Sequence, residues 1–140
     1  MEILASRMLF RPADYKRSLS FYRDQLGLAI AREYGAGTVF YAGQSLIELA
    51  DHGAPAHPVG SVVRGAFQGA LWLQVRDLAA TQAELESRGV AITREARHES
   101  WGLHEMHITD PDGVTIIFVQ IPWDHPLRRD TRSEPRTTQG

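Results

Sequence analysis

Apolar and polar residues alternate with period two from Ile3 to Arg11, which predicts a strand with Met8 and Phe10 on one face and Arg7, Leu9 and Arg11 on the other. Pro12 ends that run. Asp14 is a suitable N-cap for a helix in which Tyr15, Leu19, Tyr22 and Leu26 recur at helical spacing until Gly27 closes it. Three short segments, 28–34, 37–41 and 46–50, are parted by glycines at 35, 37 and 43, the pattern of an antiparallel meander. The first half therefore reads β, α, β, β, β.

Residues 51–68 carry Gly53, Pro55, Pro58, Gly60 and Gly65 with little periodicity, and are expected to link two halves, with the length of a mobile lid or binding element. The order then repeats. A strand is expected over 70–75, Asp77 caps a helix through Leu78, Thr81 and Leu85 to Gly89, and strands follow at 90–94, 103–109 and after Asp110-Pro111-Asp112-Gly113. In that turn proline fixes φ, the two Asp side chains can bond the local backbone, and Gly113 supplies a positive φ. Residues 28–33, Leu-Ala-Ile-Ala-Arg-Glu, resemble 90–95, Val-Ala-Ile-Thr-Arg-Glu. The pattern predicts an α+β fold of two βαβββ modules, about 3–50 and 69–121, forming a cupped mixed sheet with helices outside. One domain over 1–125 would precede a polar, Arg-containing tail over 126–140.

Composition narrows the function. With 140 residues, 43% of them apolar and 23% charged, one domain with a real core fits and a second does not. The formal net charge is -2, and no Lys/Arg cluster is interleaved with aromatics inside the modules, which argues against a nucleic-acid partner. The chain holds no cysteine, which removes disulfides, thiolate ligands and a cysteine nucleophile and suits the cytoplasm. No apolar run approaches the ~18 residues of a membrane span, and residues 1–4 lack a secretory leader's basic start.

The run Asp14-Tyr15-Lys16-Arg17-Ser18-Leu19-Ser20-Phe21-Tyr22 with Leu26-Gly27, then Ser100-Trp101-Gly102, then Asp110-Pro111-Asp112-Gly113, resembles the vicinal oxygen chelate superfamily. That superfamily groups glyoxalase I, bleomycin-resistance proteins and extradiol dioxygenases, and the resemblance covers about residues 3–121. It implies a His or Glu metal ligand on the first and fourth strands of each module. The matching positions here are Arg7, Glu48, Ala70 and Ile117. A guanidinium offers no lone pair, Ala and Ile offer no donor, and one carboxylate cannot supply the roughly four to six donors a divalent ion needs. No metal and no cofactor is therefore expected, and Arg7 and Glu48 are expected to form an ion pair that either balances two charges or meets a ligand.

Strand alternation sends Leu9, Leu46, Trp72, Gln74 and Val119 to the same side as that pair, a lining suited to a flat, largely apolar molecule unless Trp72 is packed as core. Trp101 joins the ligand-contacting set by the resemblance. His104 and His107, three apart on a strand, face opposite ways and cannot share an ion. His52 and His57 sit in the linker, and His125 belongs to a Pro-Trp-Asp-His segment that could close a cavity mouth or meet a second subunit. The expected function is a metal-free small-molecule-binding protein, a homodimer by resemblance, that sequesters an aromatic or amphipathic metabolite or antibiotic. Its ligand contacts would be Arg7, Glu48, Trp72, Gln74, Trp101 and Ile117, with no catalytic residue. The alternative is an enzyme: a metal-dependent lyase, isomerase or dioxygenase, or a metal-free acid/base catalyst using Glu48.

Overall fold

The fold is seen in a computed structural model, which describes residues 1–52 and 69–127. The expected linker beyond His52 and the tail beyond Leu127 lie outside the described residues. Two four-stranded mixed sheets appear, one from each module. In the first, β1 (Met8–Phe10), β4 (Ser45–Ala50), β3 (Gly37–Ala42) and β2 (Ile30–Tyr34) lie in that spatial order. In the second, β5 (Ala70–Gln74), β8 (Thr115–Gln120), β7 (His104–Thr109) and β6 (Arg94–His98) repeat it. Each sheet has one parallel pair, β1 with β4 and β5 with β8, and antiparallel neighbours elsewhere. The helices are α1 (Tyr15–Ser20), running on as a π-helical turn over Phe21–Gln25, and α2 (Leu78–Ser87).

The expected caps form. The Asp14 carboxylate accepts from the Arg17 amide and Asp77 from the Ala80 amide, each satisfying a donor that the first turn leaves without an intrahelical partner. Gly27 and Gly89 sit at positive φ where the helices end. Three segments depart from the sequence reading. β1 is three residues long rather than spanning 3–11, because only Met8 to Phe10 find partners on the edge of β4, while Ile3 and Leu4 stay exposed. The end of the first helix widens, with the Leu26 amide reaching the Phe21 carbonyl. The strand expected over 90–94 begins at Arg94 instead, because Val90 is drawn into the core and its amide bonds the Leu85 carbonyl of the helix it leaves.

One core joins the modules. Phe21, Tyr22, Phe40, Ile47 and Leu49 from the first pack in a single cluster with Leu71, Leu85, Met106, Ile116 and Phe118 from the second. The Asp-Pro-Asp-Gly turn pins this arrangement. Asp110 accepts from the Asp112 and Val114 amides with one oxygen and from the Tyr22 hydroxyl, at 2.8 Å, with the other. Asp112 accepts from the Ala13 amide and the Ser18 hydroxyl at the start of α1. Burial pushes the Tyr22 hydroxyl well above its ordinary range, the neighbouring Asp110 carboxylate adding to it, and burial likewise raises Asp110. With one face of each sheet committed to this core, the other face is left to carry chemistry.

Candidate functional site on the outer sheet faces

On the outer face of the first sheet, strand register aligns Leu9, Glu48, Val39 and Arg32 in one row. Glu48 stands on β4 with both carboxylate oxygens engaged: Oε2 accepts from Arg7 Nη1 at 3.0 Å, and Oε1 accepts from the Tyr34 hydroxyl. Tyr34 reaches it from the end of β2, with its hydroxyl 3.4 Å from His52 Nε2 and the Arg32 guanidinium over its ring. Gly37 makes room for this. A Cβ there would fall 2.5 Å from the Tyr34 hydroxyl oxygen and 2.6 Å from the Leu49 carbonyl oxygen. The Tyr34 hydrogen bond, supported by Arg7, holds the Glu48 carboxyl below the usual carboxylate range against the opposing effect of burial.

On the outer face of the second sheet the corresponding row is Trp72, Ile117, His107 and Arg94. The next row runs Gln74, Val119, Glu105 and Arg97. Two carboxylates, Glu99 and Glu105, are only 6% and 5% exposed. Arg94 Nη2 donates to Glu99 Oε1 and lies 3.7 Å from Glu105 Oε2, while Arg97 Nε donates to Glu99 Oε1 at 3.0 Å. The Trp101 indole N–H donates to Glu105 Oε1 at 3.0 Å, from a loop whose Gly102, at positive φ, lies against the His125 ring. The Arg97 hydrogen bond, then the charges of Arg94 and Arg97, hold Glu99 below its ordinary range against the opposing effect of burial. Burial, and then the Arg94 charge, lower the basicity of His107. His107 Nε2 and Arg94 Nε are buried without a hydrogen-bond partner.

The six residues expected to touch a ligand thus fall into two groups. Arg7 and Glu48 form their ion pair on the first face. Trp72, Gln74 and Ile117 lie on the second, where Trp101 joins through Glu105. Among the described residues no strand ladder or hydrogen bond joins the two groups. A groove of about 1050 Å³ runs between the β3–β4 turn and the β5 edge; Trp72 and Gln74 line it with Tyr41, Gln44, Thr81 and Phe118. His104 and His107 do face opposite ways, and His104 packs edge-on against His98. Sequence reasoning passed over Tyr34, Arg94 and Glu99; Glu105 was weighed only as an acid/base neighbour of His104, whereas its carboxylate accepts from the Trp101 indole. Of these Tyr34 had a signal, since a Tyr two residues after Arg32 and just before a glycine turn shares its face.

The metal-using pattern does not fit these residues. Of the four positions, Arg7 is a cation, Ala70 and Ile117 have no donor, and Glu48 has both oxygens taken by protein groups. Among the described residues no group of three or more His, Asp or Glu is placed to hold an ion. The family model described as glyoxalase/bleomycin resistance protein/dioxygenase superfamily matches residues 5–118. The chain belongs to this superfamily. A superfamily relative, the uncharacterized protein YraH of Bacillus subtilis (strain 168), is 32% identical over 132 residues, spanning 86% of this chain and 99% of its own. Among solved superfamily folds, a glyoxalase/bleomycin resistance protein/dioxygenase from Nocardioides is similar with a TM-score of 0.71 at 13% identity, covering 92% of this chain and 90% of that one. A bleomycin-binding protein in complex with bleomycin is similar at 0.63 and 20% identity, over 86% of this chain and all of the other. A lactoylglutathione lyase from Agrobacterium tumefaciens reaches 0.60 and 19%, over 85% and 95%. Within the superfamily one scaffold thus carries both a binder and a lyase, and the site residues must separate them.

Proposed function

We propose that this chain is a metal-free small-molecule-binding protein of the superfamily, sequestering an aromatic or amphipathic metabolite or antibiotic rather than transforming it. The observation that carries the reading is Glu48, the one acidic side chain at the four positions, occupied by Arg7 and Tyr34. An ion pair takes the place of a cation there. The similarity to the bleomycin-binding protein supports the binder, and the similarity to the lyase is the rival.

The outer faces keep large apolar groups in solvent, Trp72 at 46% and Trp101 at 57%, beside Leu9 and Tyr41. Such surface is what a second copy or a flat ligand would cover. We assign the working form as a cytoplasmic homodimer in which one copy's first face and the other copy's second face enclose the ligand. No helix among the described residues is long and apolar enough to cross a membrane.

The test has two arms. Protein incubated with Fe(II), Mn(II), Ni(II) or Zn(II) and stripped of loosely held ions should retain none in stoichiometric amount; retention would move the enzyme reading to the front. A panel of aromatic compounds, bleomycin among them, should include one that quenches tryptophan fluorescence saturably. Trp72→Ala should weaken that compound by about ten-fold or more without lowering the unfolding midpoint. Unchanged affinity would remove Trp72 from the site.

A further inference from the structure

Residues 1–6 form an arm that the fold leaves unused. They continue the period-two alternation of β1, yet they carry no regular structure, and Ile3 and Leu4 stand 72% and 86% exposed. The base of the arm is fixed, because Arg7 is held by Glu48 and Met8 opens the ladder with β4. Beyond that anchor the six residues, if extended, reach about 20 Å at roughly 3.3 Å each. In an extended arm Ile3 and Ala5 share the outer face with Arg7 and Leu9, and Leu4 takes the opposite one.

The sheet edges show where such an arm can pair. β1, β2, β5 and β6 lie at the edges of the two sheets. β2 carries Arg32 and Glu33, and β6 carries Arg94, Glu95 and Arg97, the kind of charge that keeps an edge from pairing with another chain. β1 is only three residues long and stands between Arg7 and Arg11. β5 differs from all of these. Its run Ala70-Leu71-Trp72-Leu73-Gln74 holds no charge and no proline, and among the described residues β8 is its only ladder partner. Trp72, Leu73 and Gln74 also form one wall of the groove beside the β3–β4 turn. An uncharged edge with open backbone groups, next to an apolar groove, is a template for one more strand. The arm has the matching chemistry, and its own copy leaves it in solvent.

We propose that residues 2–6 of one copy add as a strand to the free edge of β5 in a second copy, which returns its own arm to the first. Two arms fill two edges, so the exchange closes at a dimer. It rests on the homodimer of the binding reading and names the contact that holds it. It also completes the site, since Ile3 and Ala5 arrive on the outer face beside Trp72 of the partner subunit and give it an aliphatic wall.

The chain holds no cysteine, so introduced thiols report single contacts. Leu4→Asp, at an exposed position, should raise the dimer dissociation constant in sedimentation by about ten-fold or more. It should leave the urea midpoint of dilute, monomeric protein unchanged. Ala5→Cys protein, mixed with ¹⁵N-labelled Ala70→Cys or Gln74→Cys protein and mildly oxidised, should give mixed disulfides identified by intact mass. Leu4→Cys, on the other face of the strand, should give few.

A dimer that Leu4→Asp does not weaken overturns the exchange while the homodimer stands. Disulfides joining two Ala70→Cys chains would mean that the β5 edges pair with each other. An intrachain disulfide in the Ala5→Cys/Ala70→Cys double variant would seat the arm on its own copy, and equal linking through Leu4→Cys would mean contact without strand pairing. Each of these results overturns the proposal. If the full chain stays monomeric at every concentration, the exchange and the homodimer fall together, whereas ligand binding is still judged by tryptophan quenching.

Discussion

The two outer faces occupy the same place in two copies of one motif, yet they balance their charges differently. On the first, the row Leu9, Glu48, Val39 and Arg32 puts a carboxylate on β4, and help comes from Arg7 beside the edge strand and Tyr34 at the end of the far one. On the second, the equivalent row Trp72, Ile117, His107 and Arg94 is apolar at the β8 position, and the acids have moved to β7 and the loop before it. What the copies share is the backbone register and the buried inner face. Each inner face must fit the helix and the shared core packed on it, so packing restrains it, whereas each outer face needs only to be neutral within itself. The first face is closed by its own hydrogen bonds. The second leaves two nitrogens open.

The comparison breaks most completely if the modules are unhooked. Asp110→Ala removes the acceptor for Tyr22 and for two turn amides and strands a buried hydroxyl, which should cost about 3 kcal/mol or more in urea unfolding and loosen both faces together. A loss confined to one face would show that the turn is not shared support. A smaller change isolates the first face. Gly37→Ala places a methyl against Tyr34 and the Leu49 carbonyl and should cost about 2 kcal/mol, releasing Tyr34 from Glu48. The Glu48 carboxyl should then titrate closer to its ordinary value in ¹³C NMR. A Glu48 that titrates as before would mean that Arg7 alone suffices.

The smallest effect separates the faces by pH. His107 is less basic in the fold than its ordinary 6.5, so the unfolded chain takes up a proton first, and the stability tied to neutral His107 fades as pH falls below 6.5. Glu48 is more acidic than its ordinary 4.5, so its contribution is present above 4.5 and fades only as pH drops further. Unfolding midpoints should therefore begin to fall near pH 6.5 in the parent and later in His107→Phe. Parallel profiles would place the acid response elsewhere.

The fold was legible because its signals are local. Asp14 and Asp77 sit where a cap is needed, Gly27 and Gly89 where a helix must stop, and period-two alternation told the two faces of most strands apart. The Arg7–Glu48 pair was legible too, since two opposite charges were headed for neighbouring strands. What escaped depends on register between strands far apart in the chain. Tyr34 meets Glu48 only because Gly37 lets the ring lie across the sheet, and His107 stands beside Arg94 through a register between β6 and β7 that neither segment specifies alone. A strand displaced in sequence carries a different set of side chains to the face.

The Asp-Pro-Asp-Gly turn also bears on how the chain is made. The Tyr22 hydroxyl waits for a carboxylate 88 residues downstream, and the Ala13 amide for one 99 residues away. As the polypeptide emerges from the ribosome, its first module leaves the tunnel well before these partners exist. Its helix start has Asp14 to hold it, but its buried tyrosine has nothing. Folding of the amino-terminal half is thus coupled to completion of the carboxy-terminal one, and a truncated product ending before Asp110 would expose that half to proteolysis.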